Sequence, residues 1–193
     1  MKKIIFQPVK PFHITQPFGG NRICISTDGK NKVITCDGLN PPEGYKSLYG
    51  KEGHGGVDVR AYHGQELYAC QGGTVYSIDT NPKSGLDVRI ESNENGIKFR
   101  LIYEHLMGYQ VKVGDKVKVG QLIGWTDNTG YSSGDHLHLQ MEVYKNRKWN
   151  KVDPMLYMEP IFALDFLKVI DRFAYLKELV AKFLDNIAYK IRK

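Results

Sequence analysis

Through the first 145 residues, apolar positions recur mostly at every second residue, in short runs. The segments 74–78, 87–90 and 98–103 alternate in this way and are rich in β-branched and aromatic residues, the pattern of half-buried strands. Gly114-Asp115 and Gly120-Gln121 punctuate the run VKVGDKVKVGQLIGW, and residues 136–143 alternate again. Closely spaced strands with glycine turns predict a mainly β domain, an antiparallel sheet folded or packed into a sandwich. Residues 1–20 read as a short strand lead-in ending in the turn segment ITQPFGG. Residues 21–53 are polar and weakly periodic around Asn40-Pro41-Pro42-Glu43-Gly44, a long surface excursion with room for a hairpin.

After Asp153-Pro154 the period changes. Apolar residues fall at 162, 166, 169, 170, 173, 176, 180, 183, 184 and 187, the stripe of one long amphipathic helix starting near Ile161. The chain therefore divides into a domain at 1–153, containing the 21–53 excursion, and a C-terminal helical extension at 154–193.

Composition narrows the picture slightly. A chain of 193 residues suits one substantial domain with an appendage. The formal charge of +6 favours polyanionic partners, but the excess is spread along the chain, so a nucleic-acid partner is not expected. Cys24, Cys36 and Cys70 make an odd count without CxxC spacing, which excludes a zinc knuckle and a complete disulfide framework. Cys24 and Cys36 could meet across a hairpin; buried free thiols are the plainer expectation. The opening MKKIIFQPVKPF has too short an apolar run for a signal peptide, and no run is long enough to span a membrane.

Chemistry concentrates in the histidines. In Gly53-His54-Gly55-Gly56-Val57-Asp58 the paired glycines disfavour a helix, but a loop entering a strand can bend His54 and Asp58 toward one point. Imidazole and carboxylate are both zinc ligands. In Asp135-His136-Leu137-His138-Leu139 a strand puts both imidazoles on one face and both leucines on the other. Tyr103-Glu104-His105-Leu106 reads as the end of another strand. His13 and His63 have no partner pattern. Two His with one Asp leave a fourth coordination position open, the arrangement of a catalytic zinc site.

The ordered set HxGxD, YxHL, VxxGDxVxxGQxIG and GxHLHLxxxV, preceded by Ile14-Thr15-Gln16-Pro17-Phe18-Gly19 and ending at Val143, resembles the lysostaphin-type (LytM-like) zinc endopeptidases. The resemblance implies a narrow groove lined by an antiparallel sheet. It implies one Zn2+ per chain held by His54, Asp58 and His138, with His105 and His136 as the catalytic pair. Either of that pair could be the general base. It implies hydrolysis of the peptide cross-links or stem peptides of bacterial peptidoglycan. Asn21 and Arg22, after the opening Phe-Gly, are loose candidates for substrate contacts. The alternative is a non-catalytic relative that binds wall or activates a partner enzyme. The run VKVGDKVKVGQLIG is also similar to biotinyl- and lipoyl-carrier turns, but the lysine setting those carriers need is absent.

The helix, with no counterpart in the minimal family domain, is expected to self-associate or dock to a partner, with membrane-surface contact less favoured because acidic residues dilute its basic face. Without an export signal, the expected setting is a phage lysin or a tail-associated wall hydrolase, reaching the wall by lysis or within a phage particle.

Overall fold

The computed structural model describes residues 3–20, 23–25, 33–35 and 53–191. The strands are β1 (Ile5–Gln7), β2 (Ile14–Gln16), β3 (Ile23–Ile25), β4 (Val33–Thr35), β5 (Val57–Arg60), β6 (Glu66–Tyr68), β7 (Gly73–Asn81) and β8 (Gly85–Glu94). They continue with β9 (Ile97–Tyr109), β10 (Lys116–Val117), β11 (Leu122–Thr126), β12 (His136–Lys145), β13 (Lys148–Val152) and β14 (Met158–Phe162). Among the described residues one α-helix, α1 (Ala163–Ile191), follows β14.

The main sheet runs β10-β7-β8-β9-β12-β5-β2, and its pairings are antiparallel. Strand β13 adds to β12, while β11 pairs with both β9 and β6. Period-two alternation gives this sheet two unlike faces. Val57, Val59, Phe99, Leu101, Tyr103, Leu137, Leu139 and Met141 point to one side and are fully buried. Each such side chain removed from water contributes about 1.5–3 kcal/mol. Leu67 on β6 and Ile123 on β11 are buried in the same core. The one polar group of Tyr103 is satisfied there, its Oη accepting the Cys70 N–H at 2.9 Å. Cys70 is a buried free thiol, as expected, and burial pushes its pKa up to about 12.

The other face, carrying Asp58, His136, His138, Arg100 and Glu104, is the floor of a groove of about 1590 Å³. Its long strands are joined by tight hairpins. Asn95-Gly96 joins β8 to β9 and Asn146-Arg147 joins β12 to β13, all four residues at positive φ, the conformation a two-residue hairpin needs.

Two boundaries differ from expectation. Ile161 and Phe162 lie in β14, which pairs parallel with β1, so the helix begins at Ala163. β9 runs past His105 to Tyr109. The excursion does contain a two-stranded hairpin, β3 with β4. Asn21, Arg22 and Cys36 fall outside the described residues, so the substrate-contact and Cys24–Cys36 expectations lie beyond the described structure. Among the described residues the helix meets the β domain through its first turn, where Phe166 stacks on Phe6 with centroids 4.1 Å apart and Lys10 pairs with Asp165 at 2.8 Å. From Lys168 to Leu184 its residues are exposed.

Candidate active site

Three elements bring the chemistry together, each for a local reason. On β12 the pleat sends His136 and His138 into the groove while Leu137 and Leu139 enter the core. Antiparallel register sets Asp58 of β5 directly opposite His138, and Glu104 of β9 opposite it on the other side. His54 arrives on the loop before β5, held by backbone bonds from His54 N–H to Gly20 O and from Gly19 N–H to His54 O, both 2.8 Å.

His105 reaches the groove differently. Strict alternation would place it beside Tyr103 in the core. Between β8 and β9, however, Leu86 pairs with Leu106 and Val88 with Tyr103, so β9 carries one extra residue and bulges at Glu104-His105. Both residues then line the groove, and Leu106 returns to the core. The bulge puts His105 at φ +65°, the left-handed region, which costs a non-glycine residue about 1–3 kcal/mol. Neighbours hold it there: His105 N–H donates to Ser84 O at 2.9 Å, and Asp127 N–H donates to His105 O at 3.0 Å. The Thr129 loop lies against this bulge because Gly85 and Gly130 meet where side chains would collide.

The donor atoms form a tight triangle. His54 Nε2 lies 3.0 Å from His138 Nδ1 and 3.2 Å from Asp58 Oδ1, and His138 Nδ1 lies 2.8 Å from Asp58 Oδ1. All three residues are buried. The Pro17 carbonyl, 3.2 Å from His54 Nδ1, can only accept, so in the neutral ring the proton sits on Nδ1 and the lone pair on Nε2. That lone pair then faces the Asp58 carboxylate at 3.2 Å, an arrangement a cation relieves. Burial alone would lift the Asp58 carboxyl, but the hydrogen bond from His138, joined by one from His54 when that ring is protonated, outweighs it and holds the group well below the usual carboxylate range. Tetrahedral zinc with bonds of about 2.0–2.1 Å spaces its ligands about 3.3 Å apart, close to the triangle observed. The donor set, its charge and its spacing fit one zinc ion.

His105 and His136 face the same space, their ring centroids 4.6 Å apart. Thr129 O accepts from His105 Nδ1 at 2.7 Å, and Gly134 O accepts from His136 Nδ1 at 2.8 Å. In each neutral ring the Nε2 lone pair is therefore the free end. Burial pushes His105 down to about 4, so it is neutral at physiological pH. His136 Nε2 stands 3.6 Å from Asp58 Oδ1.

All five histidine and aspartate positions read from the sequence thus converge. The carbonyls of Pro17, Thr129 and Gly134 had no sequence signal, because any residue type supplies a carbonyl. His63 gains a partner, Asp127 Oδ1 at 2.8 Å, and with Asp135 makes a second His-Asp-Asp group at the exposed rim. Asp127 also tethers the start of β12, its backbone O accepting from His136 N–H at 3.2 Å.

Comparison with known proteins gives a consistent result. The model of the family described as Peptidase family M23 matches residues 52–154. Lysostaphin of Staphylococcus staphylolyticus is 38% identical over 106 residues, covering 55% of this chain and 22% of that protein. The peptidoglycan DD-endopeptidase ShyA of Vibrio cholerae is 36% identical over 90 residues, covering 47% and 20%. This chain therefore spans about a fifth of the length of these relatives. Among solved structures, a point mutant of the catalytic domain of the prophage-encoded M23 protein EnpA from Enterococcus faecalis superposes with a TM-score of 0.54 at 26% identity. The match covers 79% of this chain and 97% of that one.

Proposed function

The chain belongs to peptidase family M23, and from that premise we propose that it is a zinc-dependent endopeptidase that hydrolyses peptide bonds of bacterial peptidoglycan. The observation that carries this reading is the convergence of a buried His54-Asp58-His138 triangle and two further imidazoles on one groove floor. His54, Asp58 and His138 would hold the ion. When bound, zinc supplies the Lewis acidity that brings water into its reactive form near neutral pH and offsets developing negative charge.

The remaining steps belong to the protein. His136 Nε2 takes the proton of the attacking water. The same proton then passes to the leaving amine. His105, kept neutral by burial, accepts the water's second O–H at Nε2 and orients it. The groove positions the peptide strand across both rings.

The non-catalytic alternative is disfavoured because all five side chains are present and share one site. Incubating isolated peptidoglycan with the zinc-loaded protein, beside a chelated control, decides between them. New amine and carboxyl ends in the released fragments, seen by mass spectrometry, are expected. Intact sacculi from a folded, zinc-loaded sample would establish the binding role instead.

Residues 1–153 are proposed as the peptidase domain and 154–193 as an extension tied to it by the β1–β14 pairing. Among the described residues no helix is long and apolar enough to cross a membrane. Phe166, Val169, Phe173, Leu176, Val180 and Phe183 alternate three and four apart along α1, the spacing of a coiled-coil seam. Most of this stripe is exposed, and we take its partner to be a second copy of the chain. The bacterial wall is the proposed place of action. A phage lysin or particle-borne enzyme is the setting that the likeness to a prophage-encoded catalytic domain supports.

A further inference from the structure

The groove continues beyond the histidines, and Lys151 there lies beside the loop that carries His54. Past His138 the floor is formed by Gln140 and Glu142 of β12, and the wall by β13. In the register of these two strands Lys151 stands opposite Glu142. Glu142 is already engaged, accepting from Gln140 Nε2 at 3.0 Å. Among the described residues Lys151 takes part in no ion pair. Its ammonium reaches past Gln140 toward the loop that carries His54. A methyl group on Gly55 would lie 2.9 Å from Lys151 Nζ and 3.3 Å from Gln140 Oε1. The absence of a side chain at Gly55 is what leaves room for a positive charge one residue from a metal ligand.

Of the other cations lining the groove, Lys83 and Lys148 also take part in no ion pair among the described residues, whereas Arg100 and Arg89 are committed. Arg100 pairs with Glu91 at 3.0 Å and lies between Tyr76 and Trp149, 4.4 and 3.9 Å from their ring centroids. Arg89 pairs with Asp87 at 2.7 Å. The anions sharing this groove with Lys151 are Glu142, Glu104 and Asp58, of which Asp58 belongs to the metal triangle. An uncompensated ammonium beside a reacting centre offers an uncharged peptide strand little and a carboxylate a charge-assisted hydrogen bond.

Resting on the peptidase reading, we propose that Lys151 is a specificity-determining residue that binds a substrate carboxylate next to the scissile bond. The preferred substrate is then a peptide strand with a free carboxylate beside the cut, over strands that are uncharged or amidated there. A half-exposed charge pair of this kind gives about five- to tenfold discrimination, and salt weakens it.

The test uses the full chain, zinc-loaded, and two synthetic peptides that differ only in glutamate or glutamine beside the bond cut. The wild type should favour the acid form about five- to tenfold, chiefly through KM, and less so at high salt. Lys151→Met should bring the ratio near one, and Lys151→Arg should restore most of it. Equal turnover of both peptides by the wild type would overturn the proposal, as would a preference that survives Lys151→Met, since Lys151 would then serve only Glu142. Failure of the peptidase reading looks different: neither peptide is cut. Calorimetric binding of the same pair still decides in that case, tighter acid binding lost in Lys151→Met supporting the site and equal binding refuting it.

Discussion

Replacing His105 with glycine should separate catalysis from metal binding and from stability in one variant. His105 sits at φ +65°, and glycine adopts that conformation without strain, recovering about 1–3 kcal/mol. Against this stands the lost bond from Nδ1 to Thr129 O, worth about 0.5–1.5 kcal/mol, and the entropy a glycine loses on folding, about 0.5–1 kcal/mol. The terms nearly cancel. Stability should stay within about 2 kcal/mol of the wild type, a melting shift of no more than about 8 °C for a chain of this size.

Catalysis has no such compensation. Losing the group that orients the water should lower kcat/KM on a peptidoglycan peptide by at least about 100-fold. Zinc, measured by elemental analysis, should remain at one per chain, because His105 is not in the donor triangle. His138→Ala is the contrast: it opens that triangle and should lose both zinc and activity. Three results would refute the reasoning. A zinc-free His105→Gly protein would make His105 a ligand, and a melting point lowered well beyond about 10 °C would make it a structural keystone. Turnover within about threefold of the wild type would leave it without a role.

Further outcomes follow from the same geometry. Gly56→Ala would put a methyl group 2.8 Å from His138 Nε2 and 2.5 Å from Leu139 O; displacing His138 should weaken zinc binding by about 10–100-fold in a chelator competition. In the zinc-free protein, burial holds His105 at about 4, below its ordinary value of 6.5, so the unfolded chain takes up the proton first. Its contribution to stability is full above pH 6.5 and disappears as pH falls toward 4, and urea unfolding of the wild type should show a loss over that window that His105→Gly lacks. Sedimentation should find the full chain self-associated in a concentration-dependent way, with Phe173→Glu shifting it to monomer and leaving peptide cleavage unchanged.

Much of this architecture was legible from periodicity. On β12 the alternation of His136, Leu137, His138 and Leu139 fixes both the core face and the groove face, and the helical stripe after residue 162 needs only its spacing. What was not legible depends on contacts between segments distant in sequence. The strand assignment of Ile161 and Phe162 follows from pairing with β1, which overrides their place in the helical period. The orientation of each histidine depends on carbonyls of Pro17, Thr129 and Gly134, and no residue type announces a carbonyl. The bulge at His105 is set by the register of Leu86 against Leu106, invisible until two strands are aligned.

That bulge bears on how such a site divides its labour. His138 and Asp58 are placed by the pleat itself, so moving either means shifting a strand register and turning Leu137, Leu139 and Val57 out of the core. The metal triangle is thereby tied to global stability. His105 is placed by one extra residue on β9, and its ring is aimed by the Thr129 loop. Its position can change by fractions of an ångström as that loop changes, without disturbing the core. Residues 127–136 should accordingly tune rate while the triangle fixes the metal. Substitutions at Thr129 that keep zinc at one per chain should still shift kcat, whereas none confined to that loop should release the ion.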